Sequence, residues 1–256
     1  MSFLIDYTLH LADTTLILAQ RNGEWCGHGP VLEQDIAITN ISLDLIGQSR
    51  NFYQYAAALI NKTPGHALQP ATEDSLAYLR TERAFKNCLL VEQPIGDWAQ
   101  TILRQFIFSV YQFGLYEKLQ YSKDEQLAAI AAKALKEVTY HVTWSSEWVI
   151  RLGDGTEESN ARMLKAIEEL WPFTGELFQP AAYELEAADA GAGVDPSSLK
   201  INWDNKIATV FEEATLPVPQ NVFAQTGGKN GIHTEHLGYI LTELQYLQRA
   251  YPGAEW

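Results

Sequence analysis

Cysteine is almost missing: Cys26 and Cys88 are the only two in 256 residues, and no CxxC pair occurs. That excludes a cysteine-built zinc site and a disulfide framework, and it fits reduced thiols in a reducing compartment. Basic residues are also scarce, 18 Lys and Arg against 32 Asp and Glu for a net charge of −14, and they are scattered. With no Lys/Arg block to track a phosphate backbone, nucleic acid is not an expected partner, and the acidic surface reads as ordinary solvation. No apolar run reaches membrane-spanning length. Residues 1–20 carry Asp6 and Asp13 and lack both a basic start and a small-residue cleavage site, so they do not read as a secretory signal. The expected location is the cytoplasm, away from membranes.

Alternation of the β type is missing too, and apolar positions recur in steps of three and four, so the chain reads all-α. With 46% hydrophobic residues it can bury one large core, and residues 1–256 are expected to form one domain. A first helix spans about 4–20 and stops near Asn22-Gly23. A second begins after Pro30, with Glu33 and Asp35 at its positive end, and runs to about 61. Its inner stripe is Ile38, Ile41, Leu45, Gln48, Phe52, Tyr55 and Leu59. Thr72 or Asp74 can cap a crossover helix reaching Glu92. Asp97 caps an aromatic helix over 98–121, and Asp124 opens another to about 152 with the stripe Leu127, Ala131, Ala134, Val138, His141, Ser145, Trp148 and Leu152. Further helices are predicted over 156–178, kinked at Pro172, then 181–188, 197–214 and 233–250, with surface loops at 191–196 and 217–231. Two helices, a long connection and two more helices is the order of a ferritin-like four-helix bundle with one crossover.

Bundles of that kind hold two irons with a carboxylate from each of two helices and a Glu-x-x-His pair from each of the others. Residues three apart stack on one helix face, so a carboxylate and an imidazole there can share a metal. At that spacing this chain offers Leu45 with Gln48, and Val138 with His141; Thr15 and Ser109 stand on the facing stripes. Two aliphatic chains, an amide and two hydroxyls are poor iron ligands, so the core is expected to hold no metal and to have no catalytic role.

The runs Gly23-Glu-Trp-Cys-Gly-His-Gly-Pro30, Leu43-Asp-Leu-Ile-Gly-Gln-Ser-Arg-Asn51, Leu89-Leu-Val-Glu-Gln-Pro94, Lys136-Glu-Val-Thr-Tyr-His141 and Thr226-Gly-Gly-Lys-Asn-Gly-Ile-His-Thr-Glu-His-Leu-Gly238 closely resemble the non-catalytic C subunits of bacterial phenylacetyl-CoA 1,2-epoxidases, over essentially the whole chain. The resemblance implies a structural subunit that braces a catalytic di-iron A subunit within a complex that includes a reductase. It also lays the catalytic subunit's Asp-Glu-x-Gly-His over Asp44-Leu-Ile-Gly-Gln48 and its Glu-x-x-His over Val138-Thr-Tyr-His141. The remaining two carboxylates fall on or near Thr15 and Ser109. Of six ligand positions only His141 survives. Phenylacetyl-CoA is then expected in the partner, with the CoA tail touching this chain at Ala84, Phe85, Lys86 and Asn87, where an ammonium and an amide could meet phosphate or adenine.

Each residue also has a plainer reading. His141 reads as a core histidine bonded to Glu137 or Gln48, and Glu137 as a surface acid or a partner of Lys133. Asp44 and Arg50 read as an ordinary ion pair or other polar contacts. His233 and His236 flank Glu235 at metal-compatible spacing, yet capping or interface packing accounts for them without a third ligand. The aromatics Phe106, Phe108, Tyr111, Phe113 and Tyr116 read as core and subunit interface. Two other functions stay open: a free-standing di-iron oxygenase or oxidase using His141, Glu137, His233 and Glu235, and a helical adaptor with no oxygenase link.

Overall fold

The computed structural model describes residues 2–254, and among them every regular element is helical. Four long helices make the bundle: α1 (Ser2–Gly23), α2 (Leu32–Asn61), α5 (Trp98–Leu119) and α6 (Glu125–Gly153). Between the pairs lie two short helices, α3 (Glu73–Tyr78) and α4 (Leu89–Glu92). After the bundle come α7 (Glu157–Leu170), α8 (Ala182–Asp189), α9 (Lys200–Glu213) and α10 (Glu235–Ala250). Helix α1 packs on α2, and α5 on α6, while α8 covers α1, and α7 and α9 cover the second pair. The order and packing are those of a ferritin-like bundle, and the buried apolar side chains form one continuous cluster. None of the described helices is long and apolar enough to cross a membrane.

Local chemistry sets the ends of the long helices. The Asp97 carboxylate accepts from the Gln100 N–H at 3.1 Å while the Gln100 side chain accepts from the Asp97 N–H at 3.0 Å, a reciprocal cap on two otherwise orphaned donors. Asp124 likewise accepts from Gln126 and Leu127 at the start of α6. The inner stripe of α2 holds from Ile38 to Phe52, then rotates: Tyr55 and Leu59 are only half-buried, and Tyr53, Ala56, Ala57 and Ile60 take the interior.

The crossover is not one helix. Thr72 does cap α3, but the helix ends after Tyr78 because Arg80 folds inward, to 4% exposure, and pairs with Asp13 of α1. Beyond a single 3-10 turn at Glu82–Ala84, the chain is extended at Phe85 and Cys88 before α4. An extended strand without a sheet must find other partners for its backbone. Here side chains supply them. The Ala84 carbonyl accepts from Arg80 at 2.8 Å and the Phe85 carbonyl faces His233 at 3.0 Å. The Lys86 N–H donates to Asp13 at 2.8 Å, its carbonyl faces His10 at 2.7 Å, and the Leu89 N–H donates to Glu176 at 2.6 Å.

Pro172 ends α7 instead of kinking it, and two 3-10 turns continue to Phe178. The expected surface loops are partly interior. Ala192, Val194 and Pro196 are buried, as are Gly228, Lys229 and Gly231 in the second loop. Lys229, 2% exposed, reaches Glu184 at 3.0 Å and the carbonyls of Leu177 and Gln179, so its charge is matched inside. Gly231 has φ +77°, and a Cβ there would lie 2.4 Å from the Arg83 carbonyl oxygen. Gly231→Ala is therefore expected to lower the unfolding free energy by about 1–3 kcal/mol, through left-handed strain and displacement of the crossover, as read by urea denaturation.

Candidate functional site

The midpoint of the bundle is where a ferritin-like protein does its chemistry, and the six sequence-predicted positions lie within the four long helices: Thr15 on α1, Leu45 and Gln48 on α2, Ser109 on α5, Val138 and His141 on α6. All are buried, none above 2% exposure. Leu45 and Val138 present only carbon. The Thr15 hydroxyl donates back to the carbonyls of Leu11 and Ala12, the usual refuge of a buried helical threonine.

Other polar side chains form two networks, mostly of amides and hydroxyls, with the half-buried Glu137 carboxylate at the edge of the first. The Gln48 amide donates to Glu137 at 2.9 Å, and its carbonyl accepts from Gln112 at 3.0 Å and from the Tyr116 hydroxyl at 3.2 Å. Nearer the other end, Asn22 donates to Gln105 at 2.7 Å, and Gln105 donates to Ser109 at 2.8 Å. Burial lifts the Tyr116 hydroxyl well above its ordinary range, so it stays a neutral donor. Amides and hydroxyls thus occupy the interior that carboxylates would fill around a metal pair.

His141 is bonded differently from the expectation. Its Nε2 lies 3.0 Å from an Asp44 carboxylate oxygen, not on Glu137 or Gln48, and its Nδ1 is buried with no partner. Asp44 is thereby accounted for. Arg50 is not its partner; it lies on the outside, 3.5 Å from Glu73. Glu137 binds Gln48 and not Lys133.

Outside the bundle centre, His233 is engaged with the crossover. Both ring nitrogens of His233 face acceptors, Nδ1 the Glu92 carboxylate at 2.9 Å and Nε2 the Phe85 carbonyl at 3.0 Å. An imidazole can satisfy two acceptors only as the doubly protonated cation, and Glu92 is the matching anion. Thr234, not His233, holds the N-cap position of α10, and Glu235 is exposed in its first turn. No three of the described His, Cys, Asp and Glu side chains come together in a group able to hold a metal ion.

Of the segment predicted to meet CoA, Phe85 and Asn87 face inward at 0% exposure, and Asn87 donates to Glu92 at 2.8 Å. Ala84 is half-buried. Lys86 is likewise half-buried, its side chain 23% exposed and its ammonium 3.4 Å from Asp6. The aromatic row of α5 is absorbed within the chain: Phe106 lies against Phe211, and Phe108 against Tyr111, which meets Phe178 edge-on. Both cysteines are free, Cys88 buried with its thiol pushed above the ordinary range by desolvation, which makes it inert.

The hydrogen-bonding roles of Asn22, Gln105, Gln112 and Tyr116 are not among the sequence expectations. A signal was present. Gln105, Ser109, Gln112 and Tyr116 are spaced four, three and four along α5, one polar stripe interleaved with the more conspicuous aromatics.

Against known proteins, the family described as "Phenylacetic acid catabolic protein" matches residues 2–256. A curated relative, the C subunit of the 1,2-phenylacetyl-CoA epoxidase of Escherichia coli (strain K12), is 49% identical over 256 residues, covering 100% of both chains. With a helical fold of the right order and a match along its length, the chain belongs to the phenylacetic acid catabolic protein family.

Proposed function

We propose that this chain is a non-catalytic, structural subunit of a multicomponent di-iron oxygenase that epoxidises the aromatic ring of phenylacetyl-CoA in aerobic phenylacetate breakdown, and that it braces the catalytic A subunit. One observation carries this reading: the six central positions supply one imidazole and no carboxylate. An iron pair needs several anionic ligands to balance its charge. Here the Gln48 carbonyl already accepts two hydrogen bonds, and the one imidazole is engaged by Asp44. These residues do not fit the cofactor, so no chemical step is assigned to them and the iron belongs to the partner. The free-standing enzyme would need His141, Glu137, His233 and Glu235 together, but His233 is spent on Glu92.

A brace also needs an outward face. On α2, Leu32, Ile36, Leu43 and Ile46 are 72%, 51%, 59% and 46% exposed at helical spacing, and Tyr140 of α6 is 49% exposed. In this reading that stripe is covered by the A subunit, in the cytoplasm, within a complex that also includes a reductase. In this reading phenylacetyl-CoA meets the complex chiefly in the partner, and the CoA tail touches this chain at the partly exposed Ala84 and Lys86.

Co-expression tests both halves. The A subunit is expected to be soluble, iron-loaded and active only with this chain present. The double variant Leu43→Glu/Ile46→Glu is expected to keep its helical circular dichroism and lose co-purification. An A subunit fully active alone would sink the brace, and a stoichiometric iron pair in the isolated chain after iron exposure would sink the non-catalytic reading.

A further inference from the structure

A crevice of about 400 Å³ lies between α5, α6 and α9, outside the bundle centre. Its walls are Val110, Phe113, Val142, Leu199 and Trp203. Gly114 opens it from the α5 side, since a side chain there would meet Leu199 and narrow the gap. Trp203 is held rigidly: its indole N–H donates to the Ile107 carbonyl at 3.0 Å, and its ring stacks edge-on against Phe178 with centroids 5.1 Å apart. The apolar wall therefore exists before anything binds.

The rim is polar and carries unspent donors. Lys118 is tethered across the mouth to Ser198, at 2.9 Å to the hydroxyl and 3.2 Å to the carbonyl. Asn202 and Lys206, one turn apart on α9, are exposed on the same rim and make no side-chain hydrogen bond or ion pair among the described residues. Thr139 and Thr143 spend their hydroxyl protons on carbonyls of α6, leaving methyls and lone pairs toward the gap. Glu117 is the rim's one carboxylate, set against the two ammonium groups of Lys118 and Lys206. On a chain of net charge −14 this rim is a local excess of positive charge. Volume, preformed aromatic walls and a few convergent donors are the features of a small-molecule site.

We propose that this crevice binds a small carboxylic acid with an apolar body, aryl or short alkyl, its ring or chain against Trp203, Phe113 and Val142 and its carboxylate on Lys206 and Asn202. The inference does not depend on the brace reading, because it uses no residue of the α2 stripe or of the bundle centre.

Titration of the full chain with phenylacetate, hexanoate and the uncharged phenylacetamide, followed by calorimetry and tryptophan fluorescence, tests it. Both acids are expected to saturate one site, with the amide weaker by about tenfold or more because it lacks the charge-assisted contact. Lys206→Ala, at an exposed position, should weaken the acids by a similar factor and leave the amide unchanged. Thr143→Trp, which fills the crevice, should abolish binding of all three while the circular dichroism stays as it was. The proposal is overturned if the folded wild-type chain shows no saturable binding at about 10 mM acid. Equal affinity for acid and amide, no effect of Lys206→Ala, or binding that survives Thr143→Trp would each overturn it as well.

Discussion

Asp13→Ala is expected to lower the unfolding free energy by about 3–5 kcal/mol, because it leaves Arg80 as a buried, uncompensated cation. Asp13 has no exposure, and each of its oxygens is in use. One accepts from the Tyr53 hydroxyl at 2.6 Å and from Arg80, and the other from Arg80 at 3.1 Å and from the Lys86 backbone at 2.8 Å. Truncation removes all of these at once in a place water does not reach. Tyr53→Phe, by contrast, deletes one neutral donor and should cost about 1 kcal/mol. Asp13→Leu combined with Arg80→Met should recover much of the loss, since an apolar pair of similar bulk removes the stranded charge. Urea unfolding followed by circular dichroism reads all three. An Asp13→Ala chain within about 1 kcal/mol of wild type would mean that the ion pair does not hold the crossover to α1.

The same pair explains where sequence reading failed. Nothing at positions 79–81 breaks a helix: no glycine or proline stands there, and the apolar rhythm runs on toward Glu92. The break is tertiary. Arg80 leaves the helix because its only neutralising carboxylate lies 67 residues earlier, on the buried side of α1. Caps behave in the opposite way. Thr72, Asp97 and Asp124 each act on a backbone donor two or three residues on, so their effect is local and visible in the sequence. Helix ends were legible where a near neighbour decides them and illegible where a distant one does.

The candidate site divides along the same line. That Leu45 and Val138 bring no donor atom to the centre follows from residue type alone. Which polar atoms pair is decided by how α2, α5 and α6 face one another, and period-3.6 patterning places a residue on a face without choosing its partner. So the burial of His141 was legible, but its bond to Asp44 was not. Asp44 reads from the sequence as an ion-pair or polar-contact residue together with Arg50, and its side chain, 37% exposed, instead meets the sealed imidazole of His141. The crossover shows the limit most clearly, since Ala84 to Asn87 looked like helix surface and are instead the end of a 3-10 turn followed by non-helical chain, held by His10, Asp13, Arg80 and His233.

Glu92→Ala is expected to cost about 3–5 kcal/mol and to flatten the fall of stability above neutral pH. Glu92 is fully buried and accepts from the Thr234 backbone at 2.6 Å, the Thr234 hydroxyl and Asn87 at 2.8 Å each, and His233 at 2.9 Å. Desolvation opposes the charged imidazole of His233, whose side chain has no exposure, but the bond to Glu92, the Glu92 charge and the Phe85 carbonyl outweigh it and hold its pKa above the ordinary value. A group raised in the folded state binds its proton more tightly there than in the unfolded chain. Its stabilisation is therefore complete below the unfolded value of about 6.5 and is lost as pH rises through the native value. His10 works in the other window. Burial, outweighing the attraction of Glu184, holds its pKa below the ordinary value, so its contribution is complete above about pH 6.5 and is lost as pH falls. The fall of stability just above that point, below about pH 8 where the raised Cys88 thiol and the buried tyrosines begin to add their own slope, thus includes His233, and the slope below about pH 6.5 includes His10. Urea denaturation at a series of pH values on wild type, Glu92→Gln and His10→Gln separates them: Glu92→Gln should flatten the alkaline limb alone, and His10→Gln should change only the acid limb. A Glu92→Gln chain whose alkaline limb stays as steep as wild type would show that the loop before α10 is not clasped to the crossover by a protonated His233.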